Sequence, residues 1–219
     1  MKIAFQSLVL TAGLFLTASA FGYFFWYKPK FNRSVKSHVF AFTVKDAADK
    51  KETLLRLHKK SIQAKDYINE NGFDENYCFL IDMKIPSGNN RFFVYNLAKD
   101  SVELAGLVTH GSGKVNSDTP VFSNTPNSYC TSLGKYKIGK LYNGRFGLAY
   151  KLYGLDTTNS KAFDRFVVLH GHDCVPNEEV APLPICESLG CPTVSPAFLT
   201  QIKSYLGEAT KPVMLWIYF

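Results

Sequence analysis

The stretch Arg165-Phe166-Val167-Val168-Leu169-His170-Gly171 is an apolar, β-branched run that ends on a histidine and a glycine. Its apolar residues, Phe166 to Leu169, predict a buried strand. That strand delivers His170 at its end, and Gly171 lets the backbone turn freely. A polar loop with Pro176, Pro182 and Pro184 comes next and leads to Ser188-Leu189-Gly190-Cys191-Pro192. A thiol set between glycine and proline sits on backbone of the unusual kind that collects at functional sites. A cysteine and a histidine at separate strand ends are the residue types of a nucleophile and its base. The plainer reading stands beside it: a free cysteine is often a small buried hydrophobe, and a strand-end histidine simply a hydrogen-bonded one.

Outward from this stretch the chain reads mostly as strands. Cys78 to Met83 and Arg91 to Tyr95 flank Ser87-Gly88-Asn89-Asn90, a hairpin signal, and Val102 to Thr109 predicts a third strand ending at His110-Gly111-Ser112-Gly113. Tyr136 to Leu152 alternates glycines with Tyr, Phe and Leu, as further hairpins do, and Val213 to Phe219 closes the chain as a strand. Two helices interrupt this pattern. From Asp46, a plausible N-cap, to Asn69 the residues Leu54, Leu55, Leu57, Ile62, Ala64 and Ile68 form an apolar stripe, with Gly72 suited to the C-cap. Later, Ser195-Pro196 is an N-cap followed by proline, Phe198, Ile202 and Tyr205 share a face, and Gly207 is the expected stop. Many short strands with few helices imply a mainly β domain.

The 219 residues, 46% hydrophobic and 15% aromatic, suffice for one well-packed domain with appendages. Charge is uneven. Lys28 to Lys65 holds eleven Lys/Arg against Asp46, Asp49 and Glu52, a net of +8, whereas the chain from Asp66 onward holds thirteen basic and fifteen acidic residues. The basic stretch suits anionic headgroups or another polyanion, or is a solvated helix face with a linker. No nucleic-acid-binding motif is present. Ile3 to Tyr27 is a charge-free apolar run of 25 residues, long enough to span a bilayer. Ala18-Ser19-Ala20 fits signal cleavage, while Phe21 to Tyr27 extends the apolar run as an uncleaved anchor would. The expected organisation is residues 1–27 as signal or anchor, 28–72 as basic linker and helix, and 73–219 as the functional domain.

His170-Gly171, a loop, then Ser188-Leu189-Gly190-Cys191-Pro192 resembles the signature of the murein L,D-transpeptidase catalytic-domain family. Asn159, Ala162 and Arg165 before the histidine match as well, as do Phe122-Ser123-Asn124, Ser132-Leu133-Gly134 and Tyr142-Asn143-Gly144-Arg145-Phe146-Gly147. The likeness runs from about Tyr77 to the C-terminus. It implies a β-sandwich or barrel with a few short helices, acting without a cofactor on peptidoglycan stem peptides in a bacterial envelope, periplasmic or anchored in the inner membrane. The positive-inside rule, applied to Lys28, Lys30, Arg33 and Lys36, places the C-terminal part of the chain in the cytoplasm. The family's substrate lies outside the membrane, so export is the expectation adopted.

The resemblance assigns Cys191 as nucleophile and His170 as general base, with the histidine oriented by a backbone carbonyl, here that of Gly171. Asp173 is the alternative orienter. Pro192 has no N–H, so oxyanion donors fall to the amides of Gly190 and Cys191. Ser188 is a candidate to contact substrate or the histidine, or a loop-stabilising hydroxyl. Arg165 suits a substrate carboxylate, or an ion pair with Asp164. His110 and Asn124 match family positions lining the cleft, with turn roles equally open. Relatives in the wider superfamily carry a histidine where Leu189 stands. Among Cys78, Cys130, Cys174 and Cys186 three pairings are open, and a Cys174–Cys186 bridge would staple the loop between His170 and Cys191. A thioester resolved by an amine makes a transpeptidase; one resolved by water makes a carboxypeptidase or amide hydrolase. Two other readings are a metal site built from His170, His172, Asp173, Cys174 and Cys191, and a non-catalytic wall-binding module on the same fold.

Overall fold

A computed structural model describes residues 44–114 and 119–219; the apolar run Ile3 to Tyr27 and the first part of the basic segment, with Lys28, Lys30, Arg33 and Lys36, lie outside the described residues. Among the described residues ten elements come in order: α1 (Val44–Asn71), β1 (Tyr77–Asp82), β2 (Phe92–Asn96), β3 (Ser101–Gly106), β4 (Gly134–Gly144), β5 (Gly147–Gly154), β6 (Val168–Gly171), β7 (Thr193–Val194), α2 (Pro196–Glu208) and β8 (Met214–Tyr218). The strands form one sheet in the order β3-β2-β1-β8-β4-β5-β6-β7. Pairing is antiparallel except for β1 with β8 and β6 with β7. The mainly β expectation holds, with two helices packed against the sheet.

Strand β1 explains how both faces come to be covered. Phe79 and Ile81 join one apolar cluster with Phe198, Leu199 and Ile202 of α2. Cys78 and Leu80, alternating with them, join a second cluster with Leu57, Ala64 and Ile68 of α1. A strand buried on both faces needs an apolar run rather than alternation, which is what Cys78-Phe79-Leu80-Ile81 supplies. Phe198 packs edge-on against Phe92, ring centroids 5.3 Å apart. Truncating such a buried ring costs about 3–5 kcal/mol.

The helices depart from expectation in detail. α1 begins at Val44, so Asp46 is not its cap, and Leu54, Leu55 and Ile62 are exposed while Leu57, Ala64 and Ile68 make the buried stripe. The spacing of these three, seven and then four residues, returns to one helix face; the other three do not. Gly72, at φ +70, caps the helix, its amide donating to the Ile68 carbonyl. The compact unit begins at Ala47, so α1 packs with the strands that come after Gly72. Arg56 from α1 reaches the buried Asp82 carboxylate at 2.9 Å. In α2, the Ser195 hydroxyl accepts from the Phe198 amide at 3.1 Å, as an N-cap should. The helix runs through Gly207 and ends at Glu208. Gly207 has open space around it, so nothing compels the chain to turn there.

The strand expected over Phe166 to Leu169 starts at Val168. Phe166 stands outside it at φ 57 and is 84% exposed. Its apolar side chain misled the periodicity because it belongs to the rim of a pocket and not to the core.

Candidate active site

Strand β6 ends at His170 and Gly171, and its parallel partner β7 sets His170 opposite Thr193, two residues past Cys191. His170 is buried. Its Nδ1 lies 3.0 Å from the Gly171 carbonyl. A carbonyl oxygen only accepts, so Nδ1 carries the proton and Nε2 keeps the lone pair. That lone pair faces the Thr193 hydroxyl at 3.1 Å. Phe146, from the β4–β5 turn, stacks on the ring at 4.8 Å with planes 17° apart. Burial holds the imidazole below its ordinary value of 6.5, partly opposed by the hydrogen bond to Gly171; His172 adds a small push downward.

Cys191 is half-buried. Its Sγ lies 3.9 Å from the Phe166 carbonyl, at the long end for a sulfur donor. Burial raises the thiol above its ordinary value, against smaller opposing effects of the Val168 backbone and the Arg165 charge. Among the described residues no hydrogen bond joins Sγ to the His170 ring. The arrangement at rest is thus a neutral thiol two residues before the strand that pairs with His170, and a neutral imidazole whose lone pair accepts from the Thr193 hydroxyl. A pocket of about 230 Å³ opens beside His170, lined by Arg145, Phe146, Phe163, Phe166 and Val168 among others.

The family model described as the L,D-transpeptidase catalytic domain matches residues 49–218. This chain belongs to that family. Among solved structures it is similar to the L,D-transpeptidase of Xylanimonas cellulosilytica, at 15% identity over 65% of this chain and 60% of that one, TM-score 0.39. It is also similar to the helical cell shape determining protein Pgp2 of Campylobacter jejuni, at 12% identity over 64% and 46% of the two chains, TM-score 0.43. Bd1075 of Bdellovibrio bacteriovorus is 15% identical over 67% and 49%, TM-score 0.42. These matches therefore span less than two thirds of the solved chains. No curated protein sequence matches.

In this L,D-transpeptidase domain the segment before the thiol is held by a cluster of hydroxyls. The Cys191 carbonyl lies 2.7 Å from Ser188 Oγ, 3.2 Å from Thr109 Oγ1 and 3.4 Å from Thr193 Oγ1. Ser188 Oγ also accepts the Gly190 amide at 3.1 Å, so this hydroxyl serves the loop and not a substrate. Of the two amides expected at the oxyanion, that of Gly190 is therefore engaged; that of Cys191 has no partner among the described residues. Gly190 has φ +112, and a Cβ there would lie 2.7 Å from the Cys130 carbonyl, so glycine is required.

Arg165 is not available for a substrate carboxylate, nor does it pair with Asp164. Its Nη1 donates to the Ser123 carbonyl at 2.9 Å and to Ser132 Oγ, and its Nη2 to the Cys130 carbonyl at 2.7 Å. Asn124 donates to the Thr157 carbonyl and to Ser160 Oγ and accepts from the Lys161 amide, which is a loop-tying role. His110 lies 3.0 Å from Nη2 of the fully buried Arg91 and 3.6 Å from Glu187. Burial, then the Arg91 charge, lowers His110 to about 4. The Glu187 carboxylate would oppose this, but it is about half exposed and screened, whereas Arg91 is not. The His110 carbonyl accepts the Ser188 amide at 2.8 Å, so His110 shapes the loop through its main chain.

Asp173 is an exposed loop residue, while the Gly171 carbonyl is the group on the ring. Cys174 is bonded to Cys186, which removes that thiolate from the metal-site reading. Among the described residues no cluster of three or more His, Cys, Asp or Glu is placed to hold a metal. Among them, too, no helix is long and apolar enough to cross a membrane. Thr193, Thr109 and Arg91 carry no signal in the sequence that marks them for the site. Phe146 lay inside a matched motif but carried no assigned role, since nothing local says which ring a hairpin tip will cover.

Proposed function

We propose that this chain is an exported cysteine acyltransferase that cross-links peptidoglycan stem peptides through a thioester on Cys191. The observation that carries the proposal is the β6–β7 pairing: it sets a tautomer-fixed His170, with its Nε2 lone pair free of any proton, beside the strand that Cys191 enters. Membership of the L,D-transpeptidase family supports the substrate class.

Sγ turns from the Phe166 carbonyl towards Nε2, and the Thr193 hydroxyl swings to the Cys191 carbonyl. Hydrogen bonds of this kind are often long before substrate binds. As Sγ attacks the amide carbonyl after the diamino acid, His170 Nε2 takes the thiol proton. The Cys191 amide then faces the oxyanion. Collapse breaks the C–N bond, the leaving amine of the terminal D-residue takes the proton from His170, and the acyl group remains as a thioester. An amine of a neighbouring stem attacks next; its proton passes to His170 and then to the departing thiolate. The apolar stretch Ile3 to Tyr27 is the segment we assign to export.

The test is intact mass after incubation with a carbapenem-class acylating compound. A covalent adduct on the wild type and none on Cys191→Ala is expected, and an equal adduct on both refutes the thiol as nucleophile. His170→Ala should slow acylation by about 10²–10⁴-fold, the usual contribution of a positioned base.

A further inference from the structure

A second, larger groove lies along β4 and β5 and the C-terminal end of α2, with a volume of about 840 Å³. Lys137, Lys140, Lys151, Lys203 and Lys211 line it, and no acidic residue does. From Asp66 onward the chain carries a net charge of −2, yet five of its thirteen basic residues meet here. Such concentration is not what an evenly solvated surface produces.

The lysines are held to different degrees. Lys137 lies over the Tyr153 ring at 5.0 Å and Lys151 over Phe163 at 5.2 Å. Lys211 is paired with Glu75 outside the groove at 2.6 Å. Lys140 and Lys203 are exposed, and neither has a partner among the described residues. Glu208 comes after the lining residue Gly207 without lining the groove itself, so the wall stays strongly positive. Tyr142 and Lys151 line both this groove and the pocket beside His170, so the two are neighbours on β4 and β5.

We propose that this groove is a docking site for a phosphodiester-linked polymer, separate from the site of acyl transfer. Opposite charge is the first argument. The second is the choice of lysine: it meets phosphate as a point charge, whereas planar recognition of carboxylates favours arginine, and no arginine lines this groove. The third is placement, since the lysines come from β4 (Lys137, Lys140), β5 (Lys151), α2 (Lys203) and the segment after it (Lys211), a spread that suits a chain bearing charges at intervals. Docking there holds the enzyme beside an anionic polymer while leaving the His170 pocket open. This inference does not rest on the acyl-transfer reading.

The experiment is a titration of the full-length Cys191→Ala protein with a short linear polyphosphate, monitored by calorimetry at several salt concentrations. The double variant Lys140→Gln/Lys203→Gln, made in the same background, should bind about tenfold or more weakly, with a shallower salt dependence and an unchanged melting temperature. The basic segment Lys28 to Lys65 is a rival polyanion site, so Lys59→Gln/Lys65→Gln serves as control and should bind as the parent does. Poly-glutamate should bind more weakly than polyphosphate at equal charge. Absence of polyphosphate binding, equal affinity in the groove variant, equal loss in the control, or equal binding of poly-glutamate would each overturn the proposal.

Discussion

Replacing Arg165 separates two roles that look alike in sequence. If the guanidinium bound a substrate carboxylate, Arg165→Lys would raise KM and leave the fold untouched. In the structure it instead joins three places in the chain: the Ser123 carbonyl, the Cys130 carbonyl and the Ser132 hydroxyl. Hydrogen bonds from a charged donor contribute about 1.5–3 kcal/mol each. Losing the two carbonyl contacts together should therefore cost about 3–6 kcal/mol in Arg165→Ala. Lysine keeps the charge but has no planar fork, so it can restore about one of these bonds at best.

With a urea slope of about 2 kcal/mol/M, the midpoint should fall by about 1.5–3 M in Arg165→Ala and by roughly half as much in Arg165→Lys. Equilibrium unfolding monitored by fluorescence measures this directly. The same geometry has a consequence at the thiol. Gly190 packs against both the Cys130 carbonyl and Arg165, so loosening the brace frees the backbone that presents Cys191. An unchanged midpoint in Arg165→Lys, accompanied by a raised KM, would refute the brace and restore the carboxylate-binding role.

His110 sits at about 4 in the fold against 6.5 when unfolded. The unfolded chain therefore takes up a proton that the folded one refuses, and stability should fall by about 3 kcal/mol as pH drops from 6.5 to 4, with no effect above that window. His110→Gln should flatten the urea-midpoint profile between about pH 6.5 and 5, and a profile parallel to that of the wild type would contradict the assignment. The Phe146 ring adds to the burial that keeps His170 below 6.5, so Phe146→Ala should move the acid limb of kcat/KM upward towards 6.5; an unmoved limb would show that the stacked ring has no such effect.

How much of this could be seen beforehand depended on the range of the interaction. The strand runs, the Ser195-Pro196 helix start and the Gly72 cap were legible because their signals span a few residues. The spacing of His170 and Cys191, with the glycines beside them, was legible as a motif. What escaped was set by distant partners. Arg165 resembles a substrate-binding residue until Ser123, Cys130 and Ser132 converge on it from more than thirty residues away in the chain. Ser188 points at its own loop because the Gly190 amide and the Cys191 carbonyl fold back to it. Phe166 reads as core by type, yet its left-handed backbone turns it out to the pocket rim. The Cys174–Cys186 bond was one of three open pairings, and only the path of the loop chooses among them.

Burial pushes both reactive groups the same way: it lowers His170 and raises Cys191. Each shift disfavours a charged form, so together they disfavour a standing thiolate–imidazolium pair. The Arg165 charge and the Val168 backbone oppose this only in part. A resting thiolate would be open to any electrophile that reached it; a neutral thiol turned towards the Phe166 carbonyl is a far weaker nucleophile. In the acyl transfer proposed above, proton transfer would then coincide with attack, when the developing oxyanion supplies the negative charge assigned to the Cys191 amide. The Thr193 hydroxyl fits this scheme because it can bond either the imidazole at 3.1 Å or the Cys191 carbonyl at 3.4 Å. With two acceptors within reach of one proton, it can leave Nε2 as the thiol arrives without losing its own hydrogen bond.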